Sequence, residues 1–253
     1  MLQFWDKAIV ISALLIAGAC TAAPIQHAEQ DATFTARAEG LTQAYRASYE
    51  LIRRGSKRGE AGRILSKKEN GTWLYETYTD AAMLFLSDKR EQRTLFRLEH
   101  GQVKPISFTY QRTGTGANKA LALRFDDANE TLQQQAGEPM SARWQEGLLD
   151  VNAVLHQLQI DVALRNLSGL KEWSYPLIDE DGRLTEYTFR VLGKETVEVP
   201  FGIMDTVKVM RVRKSNRRET YFWFSPLHQY TLVQMQQLKE GKEQAKLVLR
   251  SLH

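Results

Sequence analysis

The stretch Arg183 to Arg250, RLTEYTFRVLGKETVEVPFGIMDTVKVMRVRKSNRRETYFWFSPLHQYTLVQMQQLKEGKEQAKLVLR, decides the fold. Tyr187, Phe189 and Val191 alternate with Thr188, Arg190 and Leu192, and Leu192-Gly193-Lys194 breaks the run. Glu195 to Val199 stops at Pro200-Phe201-Gly202, and Met204 to Arg213 stops at Lys214-Ser215-Asn216. Arg218 to Phe224 runs into Ser225-Pro226, Tyr230 to Leu238 into Glu240-Gly241-Lys242, and Gln244 to Arg250 follows. Alternation with a period of two, cut by turn residues at hairpin-sized gaps, predicts an antiparallel meander.

The same grammar begins upstream at Tyr45. Tyr45, Ala47, Tyr49 and Leu51 alternate up to the turn Arg54-Gly55-Ser56. Glu60 to Ser66 reads as a strand in which Gly62 faces a crowded position or a bulge. Asn70-Gly71 is a strong hairpin signal, and Thr72 to Thr79 returns with Trp73, Tyr75 and Thr77 on one face. Ala81 to Leu86 is apolar without a clear period, and further strands are expected at 93–99, 104–112, 120–126 and 131–135.

Between the two strand blocks the period changes. Asp150 is a plausible N-cap, and Val151, Val154, Leu155, Leu158 and Val162 recur at helical spacing, predicting an amphipathic helix that ends by Asn166. Its apolar stripe is expected against the concave or open face of a sheet. Leu167 to Asp181 reads as irregular.

The N-terminus is read as an address. Lys7 precedes an apolar run from Ala8 to Ala19, too short to span a bilayer comfortably but suited to a secretory signal. We therefore divide the chain into a signal peptide (1–23), a tether or loosely packed arm (24–44) and a single β-rich domain (45–253). The expected location is the periplasm or cell envelope. Ala17-Gly18-Ala19-Cys20 resembles a bacterial lipobox with Ala where Leu is usual, making Cys20 a candidate lipidation site. An ordinary signal peptide cut near Ala19, Ala22 or Ala23 is the other reading. Membrane contact is expected only if Cys20 is lipidated. It is the sole cysteine, so the chain forms no internal disulfide.

Hydrophobic content of 43% and charged content of 25% suit a globular chain with a real core. The net charge of +4 is mild, and no recognition motif accompanies the basic clusters, which argues against nucleic acid. Arg53-Arg54, Lys57-Arg58, Arg211-Val212-Arg213-Lys214 and Arg217-Arg218 read as solvated protection of strand ends.

Little in the sequence suggests catalysis. Arg112-Thr113-Gly114-Thr115-Gly116-Ala117-Asn118-Lys119 lacks the spacing of a phosphate loop and reads as a hairpin loop. His27, His100, His156, His228 and His253 form no metal-binding pair, and His156 is taken as a boundary residue of the helix. Asp126-Asp127 and Asp179-Glu180-Asp181 punctuate turns. No Gly-x-Ser-x-Gly elbow occurs. The expectation is a non-enzyme without cofactor or metal.

Several phrases resemble the DUF3108 family of exported Gram-negative bacterial proteins. They are Tyr45-Arg46-Ala47-Ser48-Tyr49, Arg112 to Gly116, the helix region Asp150 to Leu164, Glu186 to Phe189, Pro200-Phe201-Gly202 with Asp205 to Val209, and Arg218 to Pro226. The resemblance covers roughly Tyr45 to Leu249 and implies export, no catalytic motif and an incompletely closed antiparallel barrel, similar to periplasmic lipoprotein carriers. The expected fold class is thus mainly β, a curled meander with one amphipathic helix packed on it.

What remains is aromatic. Tyr221-Phe222-Trp223-Phe224 makes both faces of one strand aromatic, so one face meets the core and the other needs a cover or a ligand. Trp144, Trp173, Phe222, Trp223 and Phe224 are the candidate lining of an apolar mouth, with core packing under the helix as the simpler alternative. The leading expectation is an envelope protein binding a hydrophobic ligand, a lipid or acyl chain. The alternative is an interaction protein engaging an envelope partner, and an envelope hydrolase comes third.

Overall fold

The computed structural model describes residues 33–83, 86–134, 140, 142–169, 171–215 and 217–253. Cys20 and the expected signal segment lie outside them. Residues 33–41, within the expected arm, form helix α1. Ala38 of this helix is fully buried in the main core, and Leu41 packs against that core.

From Tyr45 the chain makes β1 (Tyr45–Arg53), β2 (Ser56–Lys67), β3 (Trp73–Met83), β4 (Leu86–Glu99), β5 (Gln102–Gly114), β6 (Lys119–Asp126) and β7 (Thr131–Gln134). The second half holds β8 (Leu149–Asp150), α2 (Ala153–Ser168), β9 (Glu172–Ile178), β10 (Leu184–Val199), β11 (Gly202–Val212), β12 (Arg218–Ser225), β13 (Thr231–Lys239) and β14 (Lys242–Leu252). All fourteen strands join one unclosed sheet, ordered β7-β6-β5-β4-β3-β2-β1-β14-β13-β12-β11-β10-β9-β8. The pairs are antiparallel except β8 with β9, which is parallel with α2 as the crossover.

Turn chemistry explains much of the meander. Arg54-Gly55, His100-Gly101 and Glu240-Gly241 have positive φ at both residues, as two-residue hairpin turns matching strand twist require. The Asn70-Gly71 hairpin forms, but by a wider loop: Lys68 N donates to Thr72 O, and Asn70 Oδ1 accepts from Thr72 N and Oγ1. A Cβ on Gly62 would lie 2.2 Å from the Tyr78 ring on the neighbouring strand, so the crowded position read from the sequence is a ring stacked over a strand glycine.

The structure corrects three expectations about elements. Leu167 to Asp181 is not irregular throughout, because Glu172–Ile178 is strand β9, burying Trp173, Tyr175 and Leu177 in alternation. Pro176 is tolerated there because β9 lies next to a two-residue edge strand. Gly193 does not end a strand either: β10 continues through a bulge between Val191 and Gly193 that leaves Leu192 47% exposed. The third concerns the helix. α2 is buried on all sides rather than along one stripe, and every residue from Asn152 to Leu164 except Leu155 is buried.

The main core gathers Val154, Leu158, Ile160 and Val162 of α2 against Tyr75, Phe96, Phe189, Phe222 and Phe224 of the sheet. Burial of each such side chain contributes about 1.5–3 kcal/mol. The open seam is closed by side chains instead of a ladder. Phe108, Tyr110, Leu121 and Leu123 on β5 and β6 cluster with Leu148 and with Ile178 of β9. An ion pair between Lys119 and Asp181 lies beside them.

Candidate functional site

The concave face of the sheet is filled at one end and hollow at the other. α2 plugs the filled end. Asp150 Oδ1 accepts the Asn152 and Ala153 amides, so it caps the helix from just outside, while Asn152 occupies the cap position. Asp150 Oδ1 also accepts from Thr94 Oγ1, and Asn152 Oδ1 accepts from Thr77 Oγ1. Burial raises the Asp150 carboxyl to about 7 against those stabilising hydrogen bonds.

His156 is not a boundary residue. It is fully buried between Tyr75 and Phe96, with ring centroids at 5.6 and 5.4 Å. Burial holds it down to about 4, hence neutral. Gln157 accepts the Val103 amide and donates to Gly101 O, and Gln159 donates to Gln229 O. The polar side of α2 therefore pins the β4–β5 turn and the loop before β13.

Beyond the helix lies an inner chamber of about 280 Å³, floored by Val151, Val154 and Leu155 and walled by Phe189, Phe222, Met235 and Leu247. It shares Thr79, Arg90, Met235, Gln237 and Leu247 with an outer vestibule of about 590 Å³. Leu51, Ala81, Ala82 and Ala245 line the vestibule, near the β1–β2, β3–β4 and β13–β14 turns. The vestibule lies within the range of small-ligand sites, roughly 300–1,000 Å³, and the inner chamber just below it.

The lumen is also basic. Arg63, Arg211 and Arg213 line the inner chamber, Arg53, Arg58 and Arg112 the vestibule, and Arg90 both. Among the described residues, Asp88 and Glu180 are the carboxylates of this lining. Asp88 accepts from both Arg90 and Arg112, which hold its carboxyl below the usual range.

The five aromatic candidates do not line one mouth. Phe222 lines the inner chamber and also packs in the main core with Phe224 and Trp173. Trp173 donates to the Tyr175 hydroxyl, which donates to Asp161. Trp223 belongs to another cluster, covered by Val197, Val199 and Met204 of the β10–β11 hairpin. The tip of that hairpin reaches β14, where Phe201 N donates to Leu249 O. Trp144 is half-buried between β7 and β8 and lines neither chamber. The second face of the aromatic strand is thus covered by the chain itself.

Arg211 and Arg213 are half-buried rather than fully solvated strand ends. They continue the inward row of Val207 and Val209 into the lumen, a phase readable in the sequence as i, i+2, i+4, i+6. Among the described residues no group of three or more His, Cys, Asp or Glu side chains is placed to hold a metal ion.

Fold and cavity define a curled, open, barrel-like sheet with a helix-plugged, arginine-rich lumen. The chain belongs to the family described as "Protein of unknown function (DUF3108)", whose model matches residues 44–248. The structure resembles that of a beta-barrel-like protein of domain of unknown function DUF1849 from Brucella abortus. The TM-score is 0.53 at 11% identity, over 83% of this chain and 96% of that one, which shows a shared fold. A chain of the Pseudomonas aeruginosa MucA/MucB complex matches with a TM-score of 0.33 at 10% identity, over 88% of this chain and 56% of its own. The comparison with curated proteins found no match.

Proposed function

We propose that this chain is an exported, non-enzymatic binding protein of the cell envelope that holds a hydrophobic ligand, a lipid or acyl chain, in its lumen. The observation that carries this reading is the hollow beyond the helix. α2 fills one end with close-packed side chains, while at the other Leu51, Met235, Ala245 and Leu247, which also pack in or against the second core cluster, line a hollow. A concave, partly apolar hollow with a few polar groups is the usual form of a small-ligand site. The five aromatics named from the sequence contribute only Phe222 to it, so the support comes from aliphatic side chains. Asp88, paired with Arg90 and Arg112, is not a free carboxylate for acid–base chemistry.

Native mass spectrometry of protein purified without detergent tests the reading. Lipid masses retained by the folded chain are expected; a chain that carries none and takes up none when offered a fatty acid would refute it. Labelling with a palmitate analogue, lost in Cys20→Ser, is expected of an anchored form, whereas an unlabelled wild type would end the lipid-anchor reading.

One observation favours a second reading, binding to an envelope protein. Ile203 is 76% and Leu227 81% exposed, with Phe201 beside them around a surface hollow. A photo-crosslinker at Ile203 that captured one partner, lost in Ile203→Asp, would support it; a uniformly uncaptured protein in envelope extracts would not.

A further inference from the structure

Three guanidinium groups of the inner chamber pair with no carboxylate among the described residues. Arg63 is 7% exposed; its Nη1 donates to the Tyr75 hydroxyl at 2.9 Å, and its guanidinium lies 6.0 Å from the Tyr49 ring centroid. The Arg211 guanidinium lies 3.2 Å from the Tyr187 ring centroid, and its Nε is buried without an acceptor. Among the described residues Arg213 reaches Thr220 Oγ1 and the Arg218 carbonyl. Glu180 influences Arg211 electrostatically without an ion-pair contact. Elsewhere the chain pairs its cations readily, as Lys57, Lys89, Arg93 and Lys208 each reach a carboxylate on the surface.

A buried charge without a counter-charge is costly; Arg63 is such a charge, and the half-buried Arg211 and Arg213 converge with it on one cavity. Burial pushes Arg213 down to about 10 and lowers Arg211, with the neighbouring Arg211 adding to the shift at Arg213. Both remain cationic at neutral pH. Planar guanidinium groups match the two-oxygen edge of a carboxylate or phosphate, and aromatic faces hold them in place without neutralising them. Directly beside them Met235 and Leu247 lead outward to Leu51 and Ala245.

We infer that the lumen takes a single-chain anionic amphiphile. Its carboxylate or phosphate head sits among Arg63, Arg211 and Arg213, and its acyl chain runs along Met235, Leu247 and Leu51 toward the mouth. This rests on the reading of the lumen as a site for a hydrophobic ligand and adds the charge of the head.

The test is a calorimetric titration of the delipidated protein with oleate, oleoyl lysophosphatidate and oleyl alcohol, each below its aggregation concentration, and with inorganic phosphate. The wild type is expected to bind at least one anionic amphiphile about tenfold or more tighter than the alcohol, as charge-assisted hydrogen bonds imply. The preferred head separates a carboxylate from a phosphate ligand. The double variant Arg211→Gln, Arg213→Gln should lose that preference while its affinity for the alcohol and its circular dichroism stay unchanged. Equal affinity for acids and alcohol overturns the anionic head and leaves the hydrophobic-ligand reading standing. Binding of none of the three overturns both. Displacement of oleate by phosphate alone at comparable concentration would reassign the arginines to a free anion and overturn the amphiphile.

Discussion

Arg63 stands on β2 between Ala61 and Leu65, in a row that faces the interior, where an apolar side chain would pack without cost. Its neighbours are three tyrosines, Tyr45, Tyr49 and Tyr75, none of which balances its charge at neutral pH. Removing an unpaired buried charge relieves a desolvation penalty and leaves Tyr75 close to Tyr45. Arg63→Met is therefore expected to keep or raise the urea midpoint of the ligand-free protein while weakening binding of an anionic amphiphile. A loss of about 1 kcal/mol or more in stability would instead mark Arg63 as an internal strut. The residue scale is also where the sequence was hardest to read. The phase of Arg211 and Arg213 was visible beside Val207 and Val209, but a basic cluster close to a turn normally reads as solvated. Only the curl of the sheet shows that this end of β11 faces a cavity. Trp223 posed the opposite difficulty: its need for a cover was legible, while the cover comes from Val197, Val199 and Met204, brought back by a bent hairpin.

Helix α2 was legible as a helix from its apolar spacing, with its start near Asp150, but its second face was not. Asn152, His156, Gln157, Gln159 and Asp161 look like a solvent face by polarity; the absence of Lys and Glu among them was the available sign of burial. That burial gives the helix two opposed titrations. Asp150, held at about 7 against an ordinary 3.8, costs nothing below pH 4, and its cost grows to on the order of 4 kcal/mol as pH rises through 7. His156, held at about 4 against 6.5, costs nothing above pH 6.5, and its cost grows to on the order of 3 kcal/mol as pH falls toward 4. Both terms destabilise, but their slopes are opposite and nearly cancel between about pH 4 and 6.5, which leaves the summed cost nearly constant there. Asp150→Asn should unmask a stability that falls on acidification from pH 6.5, and His156→Leu one that rises on acidification from pH 7. Urea midpoints across pH 4 to 8 check this, and slopes of the same sign in both variants would be incompatible with it. The β10–β11 hairpin carries a separate expectation. Met204 is 5% exposed beside Trp223, so Met204→Asp places a charge in a dry contact and should free the hairpin tip. Tryptophan emission should move to the red with far-UV dichroism retained, and the shift should vanish in a Trp223→Phe background.

At the scale of the whole molecule, the antiparallel meander was legible because period and turns are local, whereas the order of the halves depends on contacts far apart in sequence. β1 pairs with β14 at the centre of the sheet, so Tyr49 opposes Leu249, while the edges β7 and β8 come from mid-chain. The chain leaves the centre, reaches one edge, crosses the seam, sends α2 into the lumen and returns. No short window of sequence encodes that closure. Its physical content is the cluster in which Leu123 on β6 and Ile178 on β9, each fully buried, share one apolar contact region across the seam. If the two seven-strand halves were independent units, truncating one side would leave the other unaffected. In a single curled sheet both truncations damage the same core, because each half supplies the cover for the apolar face of the other. Leu123→Ala and Ile178→Ala should each cost about 2–5 kcal/mol. Together they should depart from additivity by roughly 0.5–3 kcal/mol, with dichroism and fluorescence still reporting one coincident transition. Strictly additive losses, or two separable melting steps, would mean that the seam does not bind the halves into one cooperative unit. The arginine-lined lumen depends on that unit, since Arg63 comes from one half of the sheet and Arg211 and Arg213 from the other.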